Sequence, residues 1–131
     1  MAWLGNMLVG LALTIGLGIP DTITYVAPPP LTIEEKILAE LPPVFIEIAK
    51  AESQMNPNAY NNEWHYDTKG NKLCQGSFSI LQVACFWYEE AGIPEEMYYN
   101  VDINIQLAKA IYEDGGTKPW GVCRTGKVKC N

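Results

Sequence analysis

The sequence predicts an α-rich α+β fold, with several helices and one polar excursion between them. Three observations carry this expectation. Apolar residues recur at helical spacing near residues 33–41, 43–53 and 102–114. Pro42-Pro43, Gly92-Ile93-Pro94 and Gly115-Gly116 punctuate those stretches. Residues 56–76 are polar and rich in Asn, Gly and Tyr, with a turn signal at Thr68-Lys69-Gly70-Asn71. A short β-hairpin or an irregular loop fits that excursion.

The first expected helix opens with a capping box, Thr32 as N-cap and Glu35 three residues on. Ile33, Ile37 and Leu41 form its apolar stripe. Pro42-Pro43 ends it, and Pro43 is well placed to begin the next helix. That second helix runs to Ser53 and carries Glu52. Gly76 to Tyr88 reads as a buried helical segment. Pro94-Glu95-Glu96 starts a short turn of helix. Asp102 is the expected N-cap of a last helix reaching about Asp114, with Ile103, Leu107, Ala110 and Ile111 as its buried stripe. Gly115-Gly116 supplies the stop, and loop follows from Thr117.

Residues 2–19 carry no charged side chain. Their length is borderline for a membrane span and also suits a long secretory core. No basic flank precedes them and no persuasive cleavage site follows. Residues 1–20 are therefore read as a signal peptide or an N-terminal membrane anchor, with a buried soluble helix as the plainer alternative. Residues 21–30, with three consecutive prolines, read as a Pro-rich linker. Residues 31–131 form the expected globular domain.

The formal charge of −6 argues against nucleic acid as the main partner, because phosphate binding needs a basic stripe. Cys74, Cys85, Cys123 and Cys130 are even in number, and His65 is the only histidine. Without a CxxC pair, a zinc site is improbable. Two disulfides in an extracytoplasmic, oxidising compartment fit better, with free buried thiols as the alternative. Of the three connectivities, Cys74–Cys85 with Cys123–Cys130 is favoured because both loops are short.

Glu52 is the acid that stands out. Phe45, Ile48, Ala49 and Glu52 are i, i+3, i+4 and i+7, so one carboxyl shares an otherwise apolar face. Lost hydration favours its neutral form, which can donate a proton to a leaving group. Glu47 falls on the other side, beside Lys50, as an ordinary surface acid. A glutamate at a helix end is often merely solvated. Here it opposes the helix dipole and precedes the loop Asn56-Pro57-Asn58, at the mouth of an expected cleft.

Three segments then follow in order: Ala51-Glu52-Ser53 with Asn56-Pro57-Asn58-Ala59, Gly76-Ser77-Phe78-Ser79-Ile80-Leu81-Gln82, and Asp102-Ile103-Asn104-Ile105. Their order and spacing resemble the soluble lytic transglycosylase family of the lysozyme-like superfamily. The ending Gly115 to Cys123 resembles compact resuscitation-promoting-factor domains. The resemblance covers roughly residues 40–123. It implies a lysozyme-like helical domain with a small hairpin or loop excursion after the catalytic helix. It implies peptidoglycan glycan strands as partner and the bond between N-acetylmuramic acid and N-acetylglucosamine as target, without a cofactor. Glu52 becomes the catalytic acid, Ser53 a supporting hydroxyl and Gln82 a cleft amide. Ser77, Tyr66 and Tyr112 join them as candidate substrate-binding residues. Gln82 shares a face with Phe78 and Ser79 if the segment is helical, and bridging to backbone is its plainer role. Ser79 departs from the family pattern, which has Gly there. The family's Ala-Tyr-Asn motif is missing, and Tyr112 stands in its nearest string.

One acid suffices for lytic transglycosylation, whose product is a 1,6-anhydro sugar. A two-acid hydrolase needs a partner carboxylate about 5–5.5 Å away for retention or about 6.5–9.5 Å for inversion. Glu63 and Asp67 are the available candidates. Trp64, Tyr66, Trp87, Tyr88 and Trp120 offer faces for sugar rings, with Tyr66 favoured over Trp87 because it lies in the polar excursion. His65 reads as a surface or hairpin side chain. A hydrolytic muramidase, a catalytically silent peptidoglycan-binding module and a structural envelope protein remain the alternatives.

Overall fold

Thr32 opens the first helix. Its hydroxyl accepts from the Glu35 amide at 3.2 Å, and the Glu35 carboxylate accepts from the Thr32 amide at 2.9 Å. The expected capping box is therefore complete at both ends. In this computed structural model, residues 23–131 are described. The expected signal peptide or anchor over residues 1–20 lies outside the described residues. Residues 23–30, the second part of the expected linker, form neither helix nor strand and are exposed. Leu31–Asn131 is a compact unit of its own. No helix among the described residues is long and apolar enough to cross a membrane.

Within that unit, α1 spans Ile33–Glu40 and α2 spans Val44–Ser53. Phe45, Ile48 and Ala49 of α2 are buried, as their spacing required. Glu47 is exposed and pairs with Lys50 at 3.6 Å. The chain leaves α2 through two left-handed residues, Gln54 and Met55. Strand β1, Tyr60–Tyr66, and strand β2, Lys72–Phe78, form the expected antiparallel hairpin. Asp67 holds its turn, accepting from the amides of Lys69 at 2.9 Å and Asn71 at 2.8 Å. Gly76 has φ +110°, and a Cβ there would lie 2.6 Å from the Tyr60 ring, so only glycine fits.

Beyond the hairpin the sequence reading needs correction. Gly76 to Tyr88 is no single buried helix. Strand β2 continues to Phe78, a tight turn follows, and Val83–Ala84 adds β3 through Ser77↔Ala84 and Phe78↔Val83. The result is a three-stranded antiparallel sheet in the order β1-β2-β3. Five helices accompany it among the described residues. This is a mixed α+β fold, and it overturns the expected lysozyme-like helical domain with a small excursion. The physical reason is the turn. Ser79 and Gln82 adopt positive φ values of 67° and 47°, which end a helix, and neither residue type announces that.

Helix α3, Cys85–Glu90, follows β3 directly, and Glu95–Met97 makes one 3₁₀ turn. Helix α4, Val101–Gly115, is the longest among the described residues, and α5, Gly121–Arg124, is a single turn. Asn100, not Asp102, caps α4, accepting from the Ile103 amide at 3.0 Å. Asp102 instead pairs with Lys36 of α1 at 3.1 Å. The buried face of α4 is Asn104, Ile105, Ala108 and Ile111, while Ala110 is exposed. Hydrophobic spacing discounted the polar Asn104 and so turned the stripe. Disulfides join Cys74 to Cys85 and Cys123 to Cys130, the favoured pairing. They mark an oxidising, extracytoplasmic setting.

Asn104 is fully buried and explains why the turn after β2 has one shape. Its Oδ1 accepts from the Leu81 amide at 2.9 Å. Its Nδ2 donates to the Phe78 carbonyl at 3.0 Å and to the Tyr88 hydroxyl at 2.7 Å. Tyr88 passes its own proton to the Tyr98 carbonyl at 3.1 Å. Burial pushes the Tyr88 phenol up to about 12, with the Asn104 hydrogen bond acting in the opposite sense. Truncating Asn104 leaves buried backbone groups unpaired, each costing about 1–3 kcal/mol. We expect Asn104→Ala to lower unfolding stability by about 3 kcal/mol or more, read from urea denaturation. Ser79 offers the opposite change. Its buried hydroxyl has no hydrogen-bond partner and its φ is left-handed. Ser79→Gly removes both penalties against roughly 0.5–1 kcal/mol of backbone entropy. Its urea midpoint is expected to rise, and a drop of more than about 1 kcal/mol in stability would refute the account of this turn.

Candidate active site

Glu52 occupies the last turn of α2 and lines a groove of about 630 Å³. The floor and sides come from elements far apart in the chain. Strands β1 and β2 contribute Asn61, Glu63, His65 and Ser77. The turn and β3 contribute Gln82, Val83 and Ala84, and α3 adds Phe86 and Trp87. The opposite side is Trp120, Val122, Arg124 and Thr125. A second opening beside it is lined by Glu52, Gln82 and the β1 residues Tyr60, Asn61 and Asn62.

The Glu52 pKa lies above the ordinary glutamate range. Burial is the main cause, and the neighbouring charge of Glu63 adds to it. Lys127 and Arg124 pull in the opposite direction. The carboxyl thus keeps its proton to higher pH than a solvated glutamate. Glu63 is the second acid in the groove. The Ser77 hydroxyl donates to its Oε1 at 3.5 Å, a long bond, and His65 Nε2 lies 3.1 Å from that hydroxyl. His65 Nε2 is also 3.2 Å from the Gly76 carbonyl, which can only accept. A tautomer with the proton on Nε2 satisfies both contacts, donating to the Gly76 carbonyl and the Ser77 hydroxyl.

The other expected site residues divide. Ser53 does not line the groove. Its hydroxyl donates to the carbonyls of Ala49 at 3.0 Å and Ile80 at 2.7 Å, tying the end of α2 to the turn. Gln82 lines the groove, yet from a left-handed turn residue rather than a helix. Its amide nitrogen donates to the carbonyls of Ala59 at 3.2 Å and Ser79 at 2.9 Å, so it also bridges backbone. Ser77 lines the groove and is buried. Tyr66 is exposed at the far end of β1, outside the groove lining, whereas Trp87 is in it. Trp64 carries Lys72 over its ring at 4.5 Å. Tyr112 packs edge-on against Phe45 at 5.3 Å and belongs with the core. Tyr88 is buried in the core as well. Asp67 serves the hairpin turn, which leaves Glu63 as the acid brought to Glu52.

Sequence reasoning read His65 as a surface or hairpin side chain, and it is a hairpin residue that also lines the groove; Arg124 was overlooked. The signal for His65 was alternation. Glu63 and His65 are i and i+2 on one strand and so share a face. Arg124 had no comparable signal, because its place depends on how α5 folds back.

The raised pKa of Glu52 carries a stability consequence. Below the unfolded value, about 4.3, both states hold the proton and the group is neutral in effect. As pH rises, the unfolded chain ionises Glu52 first, so stability falls until the folded state also ionises. Glu52→Gln is therefore expected to melt with the parent below pH about 4 and above it near neutrality. Thermal melts across pH check this, and a variant less stable than the parent at neutral pH would contradict it. No family model, curated protein or solved structure matches this chain, so the lysozyme-like assignment drawn from the motifs has no relative to rest on.

Proposed function

We propose that this protein cleaves peptidoglycan glycan strands at the β-1,4 bond between N-acetylmuramic acid and N-acetylglucosamine, as a lytic transglycosylase. The observation that carries the reading is Glu52, a partly buried acid with a raised pKa lining a groove of about 630 Å³. The three sequence segments that resemble the transglycosylases also support it, because they meet at one turn. Ser53 reaches the Ile80 carbonyl, and Asn104 reaches the Leu81 amide. Aromatic faces at Phe86 and Trp87 beside polar groups suit amphipathic sugar rings. The paired disulfides fit a site of action outside the cytoplasm, whether the chain is secreted or anchored through residues 1–20.

In the proposed reaction, protonated Glu52 gives its proton to the glycosidic oxygen as the C1–O bond breaks. The same carboxylate then takes the proton from the sugar's own C6 hydroxyl, whose oxygen closes onto C1. The product is a 1,6-anhydro sugar, no water is consumed, and Glu52 ends protonated. Ser53 and Gln82 act by holding the turn. One observation favours hydrolysis as a second reading: Glu63 lines the same groove and acts on Glu52. In a muramidase it would steady positive charge on the sugar or activate water.

Mass spectrometry of digested peptidoglycan tests both routes. Anhydro-muropeptides are expected, and products heavier by one water would move the assignment to the muramidase. Glu52→Gln is expected to reduce release of soluble fragments by at least about a thousandfold, since the proton donor is lost. Parental activity in that variant would refute the assignment. Binding without any change of mass in the muropeptides would leave a silent binding module.

A further inference from the structure

We propose that the segment 117–131 forms a cationic wall of the groove that binds carboxylate groups on the substrate's peptide substituents, with Arg124 and Lys127 as the contacts. This rests on the peptidoglycan reading above and extends it to what selects the substrate.

The charge distribution is the first observation. Residues 117–131 carry Lys118, Arg124, Lys127 and Lys129 and no acid, in a chain of formal charge −6. The second is that these cations form no ion pair among the described residues. Among the described residues, the ion pairs are formed by Lys36, Lys50 and Lys109, all on other elements. The third is position. Arg124 and Thr125 line the groove that holds Glu52 and Glu63. Lys127 is three residues on from Arg124, within the same loop closed by the Cys123–Cys130 disulfide, and both cations lower the Glu52 pKa.

The wall is also built rather than loose. Arg124 Nη1 donates to the Lys118 carbonyl at 2.6 Å, which orients the guanidinium. The Cys123–Cys130 disulfide closes the segment, and the Val128 amide donates to the Val122 carbonyl at 2.9 Å inside it. Val122 and Trp120 anchor its start in the core. One guanidinium nitrogen is thus committed to backbone, while Arg124 as a residue is exposed. A planar cationic fork of that kind matches a carboxylate. The groove is polarised as a consequence. Glu52 and Glu63 face where an uncharged sugar backbone must lie, and cations flank where anionic substituents would project. Neutral glycans gain nothing from the cationic side.

The test measures binding with Glu52→Gln, so that no substrate is consumed. Fluorescence of Trp87 and Trp120 can report it, since both line the groove. The probes are a muropeptide-bearing tetrasaccharide with free stem carboxylates and the same molecule with those carboxylates methyl-esterified. Esterification is expected to weaken binding about tenfold in Glu52→Gln, as for loss of charge-assisted contacts. Adding Arg124→Gln and Lys127→Gln is expected to abolish that penalty, so that both probes bind alike. Raised salt should shrink the penalty in Glu52→Gln itself, which tests the charge without further substitution. A penalty that survives the two substitutions, or is absent from the start, overturns the cationic wall and leaves the glycan reading intact. If neither probe binds and the parent protein releases no fragments, the glycan reading falls, and the wall with it.

Discussion

Four groups from four separate elements converge on the turn between β2 and β3, and the groove exists because they do. The Ser79 amide donates to the Ala59 carbonyl at 2.8 Å. The Ile80 carbonyl accepts from Ser53, the Leu81 amide donates to Asn104, and the Leu81 carbonyl accepts from the Trp120 indole at 3.0 Å. Side chains of Ile80 and Leu81 are fully buried. Water therefore cannot replace these bonds, and a buried polar backbone must find partners inside the protein. The turn in this way links α2, α4 and the segment bearing Trp120. It also sets where Gln82 stands relative to Glu52.

The constraint exacts something in return. Ser79 is held left-handed with an unpartnered buried hydroxyl. Gln82 is held left-handed too, its amide given to backbone. Strain of this kind persists where surrounding bonds over-determine the backbone, and such sites cluster near function. The groove that results is electrically divided. Glu63 adds to the cost of ionising Glu52, while Arg124 and Lys127 lower it. An acid with a raised pKa beside cations is a balance that one element alone could not set.

Much of this was legible along the chain. The Thr32 capping box, the α2 stripe ending in Glu52 and both disulfides were read correctly, and of the hairpin or irregular loop expected around Gly70 the hairpin forms. Each depends on local rules: capping offsets, helical spacing, turn residues and short loop closure. The segment after Phe78 was misread because its apolar run fits helix and strand alike. The α4 stripe was misread at Asn104, because a buried amide looks polar until its partners are known. Tyr66 and Tyr112 were chosen by composition and motif position, and neither lines the groove.

The sequence by itself determined where α1 and α2 start, which face of α2 is buried and that one acid lies at its end. These are properties of neighbours within a few residues. Only the tertiary structure decided that Glu63 rather than Asp67 joins Glu52, that Ser53 and Gln82 hold a turn, and that Arg124 reaches the cleft. Those outcomes depend on hydrogen bonds and charges between residues far apart in the chain. Such pairings have no period and no local signature, because they form only once the elements are packed.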